Sequence, residues 1–166
     1  GQGTHDFTWQ LHLNAGGTTG GHLLVDKNTA KVTRDAAALK ISLYSSHNGG
    51  NELTTDEAIH YLHEGQPERH AVLKATARNR DQVSFLAVLS PTGPTAQAPW
   101  TSSHRDRGWM GLELGTTGHG AFRTDGSAII GDDGVRTDGY ALYWEADASG
   151  HPRYVLIMGA SRLWLQ

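Results

Sequence analysis

Apolar and polar residues alternate with a period of two along much of the chain, beginning at residues 7–13. The odd-numbered residues of that segment are apolar, and the even-numbered residues, the last of which is His12, are polar. Such alternation places the two sets on opposite faces of a strand, one toward a core and one toward solvent. We therefore predict a half-buried strand with His12 on its polar face.

The same pattern, interrupted by turn residues, continues to the end of the chain. A hairpin is predicted around the turn at residues 26–28, and a strand over residues 37–44. Gly- and Asp-rich turns separate the later strands, which are predicted over residues 69–76, 83–90, 108–114, 120–123, 127–130, 140–147, 153–159 and 162–165. About ten or eleven strands without helical periods between them predict an all-β, antiparallel β-sandwich.

Two segments depart from this regular pattern. Thr54 to Glu57 form a capping box ahead of Ala58 and Ile59, which predicts a short helix that ends before Gly65. Residues 91–104 are rich in Pro, Ser and Thr, and we predict an irregular surface excursion there rather than a linker between domains.

Two of the predicted strands are apolar on both faces. Residues 83–89 and 154–158 show no alternation, and a strand of this kind needs cover on both sides. We expect a third layer, a strongly curled sheet, or a neighbouring domain that packed against these strands and that this chain lacks.

Composition narrows the class of protein. The 166 residues, 37% of them hydrophobic, suit a single domain over residues 1–166 with one core. A net charge of -3 with mixed signs argues against nucleic acid as a partner. The sequence contains no run of about 18 apolar residues, the length that a membrane-spanning helix needs. The first residues lack an export-signal pattern, so a signal is either absent or removed. With no cysteine, disulfides and thiolate metal sites are excluded.

The first predicted strand carries a motif that prompts a family comparison. Residues 6–13, Asp-Phe-Thr-Trp-Gln-Leu-His-Leu, are followed by a Gly-rich turn and the hairpin at Lys31-Val32, and Asp138-Gly139-Tyr140 precedes a later long strand. This succession resembles the C-terminal β-sheet domain of heparinase II/III-like polysaccharide lyases. The resemblance implies a module of a larger secreted or periplasmic protein, with an upstream helical domain as its neighbour and an acidic polysaccharide, such as a glycosaminoglycan or alginate, as its partner.

The same resemblance argues against independent catalysis. Lyases of this kind remove the C5 proton of a uronic acid with Tyr and His as acid and base, and most of that machinery lies in the helical domain. The His-x-His segment that the family places at the start of its β region has no counterpart here. His12 alone matches the histidine of the strand motif, and it either faces a cleft or makes a hydrogen bond at the sheet surface. We assign no catalytic residue.

Metal binding has two weak sequence signals, and we predict no cofactor. His47, His60, His63 and His70 fall in one stretch, but zinc needs three or four converging ligands, and solvated surface histidines explain the pattern as well. Residues 131–139 carry three Asp residues that suit calcium, but lack the spacing of an EF-hand loop, and a pair of β-turns accounts for them.

Aromatic and cationic residues suggest a sugar-binding surface. In residues 108–114, Met110, Leu112 and Leu114 share one face, which leaves Trp109 and Glu113 on the other. An exposed Trp beside a carboxylate can stack against and hydrogen-bond to a sugar ring; alternatively, Trp109 packs against a second layer. The predicted substrate-binding set is His12, Trp100, His104, Arg105, Trp109 and Glu113.

Three functions therefore remain open. The first is a non-catalytic β-sandwich module of a polysaccharide-lyase-like protein that supports binding of an acidic polysaccharide. The second is an autonomous carbohydrate-binding module that uses Trp100 and Trp109. The third is a structural or protein-interaction domain whose two-faced strands bury against a partner.

Overall fold

A computed structural model describes residues 3–18, 20–47, 51–61, 67–93, 95–106, 108–126, 129–132 and 134–165 of the chain. The chain divides into two compact units, Gly1–Ala98 and Pro99–Gln166. The division falls inside the Pro-, Ser- and Thr-rich segment 91–104, which we predict to be an excursion within one domain.

The first unit consists of two antiparallel sheets. One sheet has the strand order β1-β6-β5 and the other the order β2-β3-β4-β7, where the strands are β1 (His5–His12), β2 (His22–Asp26), β3 (Thr29–Arg34), β4 (Ala37–Ser45), β5 (Thr54–Tyr61), β6 (Pro67–Arg80) and β7 (Phe85–Thr92). The predicted hairpin at residues 26–28 is confirmed, and Lys27 takes the positive φ of 51° that closes it.

The core of the first unit lies between these two sheets. Leu73 and Ala75 from β6 pack with Ile41 and Leu43 from β4 in one buried cluster. Trp9 and other partly buried apolar residues of β1 surround the cluster. Two sheets that bury their inner faces against each other form a β-sandwich.

The second unit also consists of two antiparallel sheets. A five-stranded sheet has the order β14-β13-β10-β9-β8 and a three-stranded sheet the order β11-β12-β15, where the strands are β8 (Thr101–Asp106), β9 (Trp109–Leu114), β10 (Gly118–Arg123), β11 (Ile130–Gly131), β12 (Val135–Thr137), β13 (Ala141–Ala146), β14 (Pro152–Met158) and β15 (Leu163–Leu165).

The second unit has its own core, built in the same way. Trp109, Leu142 and Trp144 from the large sheet pack with Ile130 and Val135 from the small sheet. Val155 and Ile157 of β14 complete the cluster from the sheet edge.

The predicted all-β, antiparallel class is confirmed. All named strand pairs are antiparallel, and the described residues contain no helix. None of the described segments is therefore a helix long and apolar enough to cross a membrane.

The predicted helix after Thr54 is wrong. Residues 54–61 form β5, which pairs with β6 in register from Thr54↔Lys74 to Tyr61↔Pro67. A capping signal is local, whereas eight paired residues along a neighbouring strand supply a full ladder of backbone hydrogen bonds. Residues 62–66, where the helix was predicted to end, lie outside the described residues.

The number of strands was underestimated. The structure has fifteen in its described residues, because β5 replaces the predicted helix, and β8 and β12 lie in segments that we predicted to be irregular or turns. Strand β8 has the sequence Thr-Ser-Ser-His-Arg-Asp, without an apolar alternation, and β12 has only three residues. Both are defined by their pairing with neighbours rather than by their own composition.

The strand predicted at residues 154–158 is apolar on both faces, as the sequence indicated. Val155 and Ile157 pack into the core, whereas Tyr154, Leu156 and Met158 are 54%, 50% and 49% exposed. In the described part of the chain, the second face of β14 is therefore left about half exposed, and β14 is also an edge strand of its sheet.

Candidate functional site

The large sheet of the second unit places several polar residues on the face that it turns toward its core. In the pairing of β8 with β9, Ser102 lies opposite Glu113, His104 opposite Gly111, and Asp106 opposite Trp109. Alternation puts all six positions on one face of the sheet.

The small sheet presents a second row of residues. Gly131 pairs with Arg136, and Arg136 pairs with Trp164, so the three positions lie side by side across β11, β12 and β15. Arg136 and Trp164 are both exposed, and the Nε atom of Arg136 donates to the carbonyl of Asp132 at 2.9 Å. This hydrogen bond orients the guanidinium group.

The two rows border one cavity of about 500 Å³, which we call the tryptophan cavity. It is lined by Asp106, Trp109, Ile129, Gly131, Arg136 and Trp164. Trp109 is 9% exposed and lies in the wall, whereas Trp164 is 39% exposed and Ile129 is 54% exposed. The cavity thus combines apolar surface, one cation and one carboxylate.

The position of strand β15, and with it Trp164, depends on polar contacts from the last residue of β12 and the residue that follows it. The hydroxyl of Thr137, a residue with 0% exposure, donates to the carbonyl of Arg162 at 2.6 Å and accepts the N–H of Gly139 at 3.1 Å. The carboxylate of Asp138 accepts the hydroxyl of Ser161 and the backbone N–H groups of Ser161 and Arg162. The hydroxyl of Ser161, followed by the N–H of Arg162, lowers the pKa of Asp138 below its usual 3.8.

Of the two alternatives for Trp109, the structure excludes exposure, because Trp109 is only 9% exposed. The alternation was assigned correctly, since Trp109 and Met110 lie on opposite faces, but both faces are covered at this strand and Met110 is 2% exposed. Trp109 belongs to the core cluster, which agrees with the alternative that it packs against a second layer. The surface of Trp109 that a ligand would contact is the part that forms the cavity wall.

His104 lies beside Trp109. The two rings meet edge to face with centroids 5.3 Å apart and an interplanar angle of 86°. A Cβ atom at residue 111 would overlap the His104 ring, so Gly111 is the residue that leaves room for this contact.

Glu113 shares that face but has its own partner. Its Oε2 atom lies 3.1 Å from Nδ1 of His119, and the His119 ring stacks on Trp144 with centroids 4.9 Å apart. Glu113 does not line the tryptophan cavity.

The remaining predicted residues are not brought into the site. Arg105 pairs with Met110 and therefore projects from the opposite face of β8 from His104. Trp100 is 51% exposed and lies outside the cavity. His12 belongs to the first unit, where it lies on the face opposite Trp9, as predicted, and lines a different cavity. Arg107, the next arginine after Arg105, lies outside the described residues.

The sequence analysis identified only Trp109 among the residues that line the tryptophan cavity. Asp106, Ile129, Gly131, Arg136 and Trp164 come from four segments, and only pairing across strands brings them together. The sequence shows Trp164 only as part of an apolar triplet, Leu-Trp-Leu, and the structure alone shows that all three residues are exposed.

The aspartates that suggested calcium cap turns in this structure. Asp132 accepts the N–H groups of Gly134 and Val135, and Asp138 accepts those of Ser161 and Arg162. Among the described residues no group of three or more His, Asp or Glu side chains is arranged to hold a metal ion. His63 and Asp133 lie outside those residues.

Comparisons with known proteins give no relative for this chain. No protein-family model, curated protein or solved structure matches it. The resemblance to the lyase domain therefore stays a prediction from the strand motif.

Proposed function

We propose that this chain is a non-catalytic β-sandwich module that binds an acidic polysaccharide through the tryptophan cavity. The observation that carries the proposal is the presence of Trp109, Trp164 and Arg136 around one cavity of about 500 Å³. This volume is within the range of about 300–1,000 Å³ that small-molecule and cofactor sites occupy.

The tryptophans are the reason for proposing a sugar as the ligand. A pyranose ring has one face rich in C–H groups and an edge of hydroxyls, and an indole offers a large apolar face beside a polar N–H. Trp164 has enough exposed surface to be stacked upon, and Asp106 supplies carboxylate oxygens for sugar hydroxyls.

Arg136 accounts for the preference for acidic glycans. Its planar guanidinium group matches a carboxylate in geometry, and Nε is already fixed by the Asp132 carbonyl. A cation held beside an aromatic ring gives a uronic acid two simultaneous contacts, whereas a neutral sugar gains only the stacking.

The wider setting is proposed from the strand motif at residues 6–13 alone. On that resemblance, the module belongs to a secreted or periplasmic polysaccharide-lyase-like protein and supports binding beside an upstream helical domain. No catalytic residue is assigned here. Tyr143 is a poor candidate for a base, because burial and the nearby Glu145 carboxylate raise its pKa to about 12.

The experiment is glycan binding by the full chain and a Trp164→Ala variant. We expect an alginate or glycosaminoglycan oligosaccharide to bind better than a neutral glucan, and the substitution to weaken binding by about 1–2 kcal/mol, or roughly 5- to 30-fold in Kd. The matched control is Trp100→Ala, because Trp100 is similarly exposed but lies outside the cavity.

A second pair of variants tests the charge. Arg136→Gln is expected to remove the preference for acidic over neutral glycans, whereas Arg105→Gln, on the opposite sheet face from His104, leaves it unchanged. Equal effects of both tryptophan variants, or no glycan binding at all, would reject the cavity as the site. Ultraviolet absorbance from an unsaturated uronate product would reject the non-catalytic assignment.

A second candidate function is protein interaction, which the outer face of β14 favours. Tyr154, Leu156 and Met158 form an exposed apolar row on an edge strand. This function predicts association that increases with protein concentration and is abolished by Leu156→Asp, measured by sedimentation. A monomer at all concentrations would leave self-association without support.

A further inference from the structure

A row of polar residues leads away from the tryptophan cavity along the edge strand β8 of the large sheet. Asp106 lines the cavity, and His104 and Ser102 precede it at alternate positions, so the three lie on one face of the strand. All three residues are exposed. A ligand that extends out of the cavity at this edge therefore meets polar side chains.

His104 connects the cavity to the rest of this row. Its ring meets the ring of Trp109 edge to face, with centroids 5.3 Å apart. The residue paired with His104 is Gly111, where a Cβ atom would lie only 2.0 Å from the His104 ring. The ring therefore lies over the backbone of β9, directly beside the cavity wall.

The far end of the row is formed by Glu113 and His119. Glu113 pairs with Ser102 of β8 on one side and with His119 of β10 on the other. Nδ1 of His119 lies 3.1 Å from Oε2 of Glu113, and the two side chains are 23% and 33% exposed. The His119 ring also stacks on the buried ring of Trp144. We call Ser102, His104, Glu113 and His119 the polar strip.

The polar strip extends beyond the reach of a single sugar bound in the cavity. Glu113 lies on β9 four residues after Trp109, which forms the cavity wall. At a rise of about 3.4 Å per residue, this separation is about 13 Å. A glycan must therefore have more than one sugar unit to contact both Arg136 in the cavity and Glu113 on the strip.

The strip differs from the cavity in charge. On this face β8, β9 and β10 present one arginine and no lysine, and that arginine, Arg123, pairs with Trp109 at the cavity end. Its guanidinium group donates to the carbonyls of Gly126 and Asp138. A second carboxylate brought to Glu113 is therefore repelled, whereas a sugar hydroxyl can donate a hydrogen bond to it.

We propose that the polar strip is a second subsite for the glycan, one that accepts a neutral sugar and disfavours a uronic acid. The inference rests on the proposed function, because it requires a glycan in the tryptophan cavity. A uronate carboxylate contacts Arg136 there, while hydroxyls of a sugar farther along the chain donate to Glu113. The two subsites together select a polysaccharide whose uronic acids are separated by neutral sugars over a polyuronate, in which every unit carries a carboxylate.

Oligosaccharides of two lengths test this selection with the full chain. Hyaluronan alternates a uronic acid with a neutral amino sugar, whereas every unit of alginate is a uronic acid. Disaccharides occupy the cavity alone and should bind with similar Kd values. The hyaluronan hexasaccharide also reaches the strip, and we expect it to bind at least about fivefold more tightly than the alginate hexasaccharide. The titrations are made in low salt at about pH 8, where repulsion is little screened and imidazoles are mostly neutral.

Substitutions on the strip locate the effect. Glu113→Gln keeps the size of the side chain and removes its charge. We expect it to strengthen binding of the alginate hexasaccharide about threefold or more and to weaken binding of the hyaluronan hexasaccharide, which loses a charged acceptor. Ser102→Lys changes an exposed residue and retains Glu113, so it is the second test if Glu113→Gln disturbs the fold. It should also strengthen alginate binding.

The matched control is Glu145→Gln. Glu145 is exposed and follows Trp144 on β13, so it lies on the opposite face of the sheet, and the same change of charge there should alter neither affinity. Equal binding of the two hexasaccharides, or equal effects of Glu113→Gln and Glu145→Gln, would overturn the second subsite while disaccharide binding that depends on Trp164 would still support the cavity. Absence of binding by every oligosaccharide would overturn both.

Discussion

At the residue scale, the second unit depends on a few buried polar side chains that no sequence pattern distinguishes. Thr137 is an example: it has 0% exposure, and its hydroxyl both donates to the Arg162 carbonyl and accepts the Gly139 N–H. A buried hydroxyl with both functions satisfied links two chain segments, whereas removing it leaves two backbone groups without a partner.

Replacing Thr137 with Val tests this contribution, because the shape of the side chain is kept and the hydroxyl is lost. We expect the free energy of unfolding to fall by about 1–3 kcal/mol, measured by urea denaturation with tryptophan fluorescence. Four of the five tryptophans lie in the second unit, so the signal reports mainly on it.

Thr116→Val is the matched control for that substitution, because Thr116 is exposed and belongs to the same unit as Thr137. The loss of its hydroxyl should change stability by less than about 0.5 kcal/mol. If the two variants are destabilised equally, the buried hydroxyl of Thr137 has no special role.

At the scale of elements, β15 is a short edge strand whose position is determined by contacts outside its own pairing. It has three residues, and among the described strands it pairs with β12 alone. The carboxylate of Asp138 holds the chain just before it through Ser161 and Arg162. Because Trp164 lies on this strand, Asp138 is a positioning residue for the tryptophan cavity.

Asp138 should make this strand sensitive to acid. Its pKa in the folded chain is lowered below 3.8, chiefly by the Ser161 hydroxyl. A lowered pKa means that the contribution to stability is present above about pH 3.8 and is lost as the pH falls through the folded-state pKa. We therefore expect Asp138→Ala to be less stable than the parent chain at neutral pH and the difference to shrink below pH 3.8, measured by thermal unfolding across pH.

The control for that pH series is Asp35→Asn, since the Asp35 side chain is 92% exposed and faces Arg34 at 4.0 Å, and Asn tolerates the positive φ of 44° at this position. This variant should follow the parent chain at all pH values. If the difference in stability between Asp138→Ala and the parent chain stays constant down to the lowest pH, the charge of the Asp138 carboxylate does not contribute to stability.

Prediction from sequence was most successful for elements with strong local patterns. The alternation in β1 and the turn between β2 and β3 identified these strands, because both signals lie within a few consecutive residues. Strands β5 and β8 were missed for the opposite reason: a capping box suggested helix in one, and polar residues concealed the other, while pairing with neighbours decided both.

At the scale of the whole molecule, the described residues form two buried apolar clusters rather than one. One buried cluster is built within Gly1–Ala98 and the other within Pro99–Gln166. Each cluster receives side chains from two sheets of its own unit. A unit with its own core is expected to fold by itself.

Separate production of fragments 1–98 and 99–166 tests this expectation. Each fragment should give a dispersed amide NMR spectrum whose signals match those of the intact chain, apart from residues near the cut. The shorter fragment is expected to be the less stable, because small domains bury a smaller fraction of their surface. An unfolded fragment would favour the single domain predicted from chain length.

The sequence by itself determined the all-β class, the faces of the regular strands and the apolar character of both faces of β14, because each of these depends on residues close together in the chain. The tertiary structure alone decided the burial of Trp109, the row formed by Arg136 and Trp164, and the stacking of His60 on His70. These contacts join residues that strand pairing brings together, and the partner and register of a strand are not encoded in its own alternation.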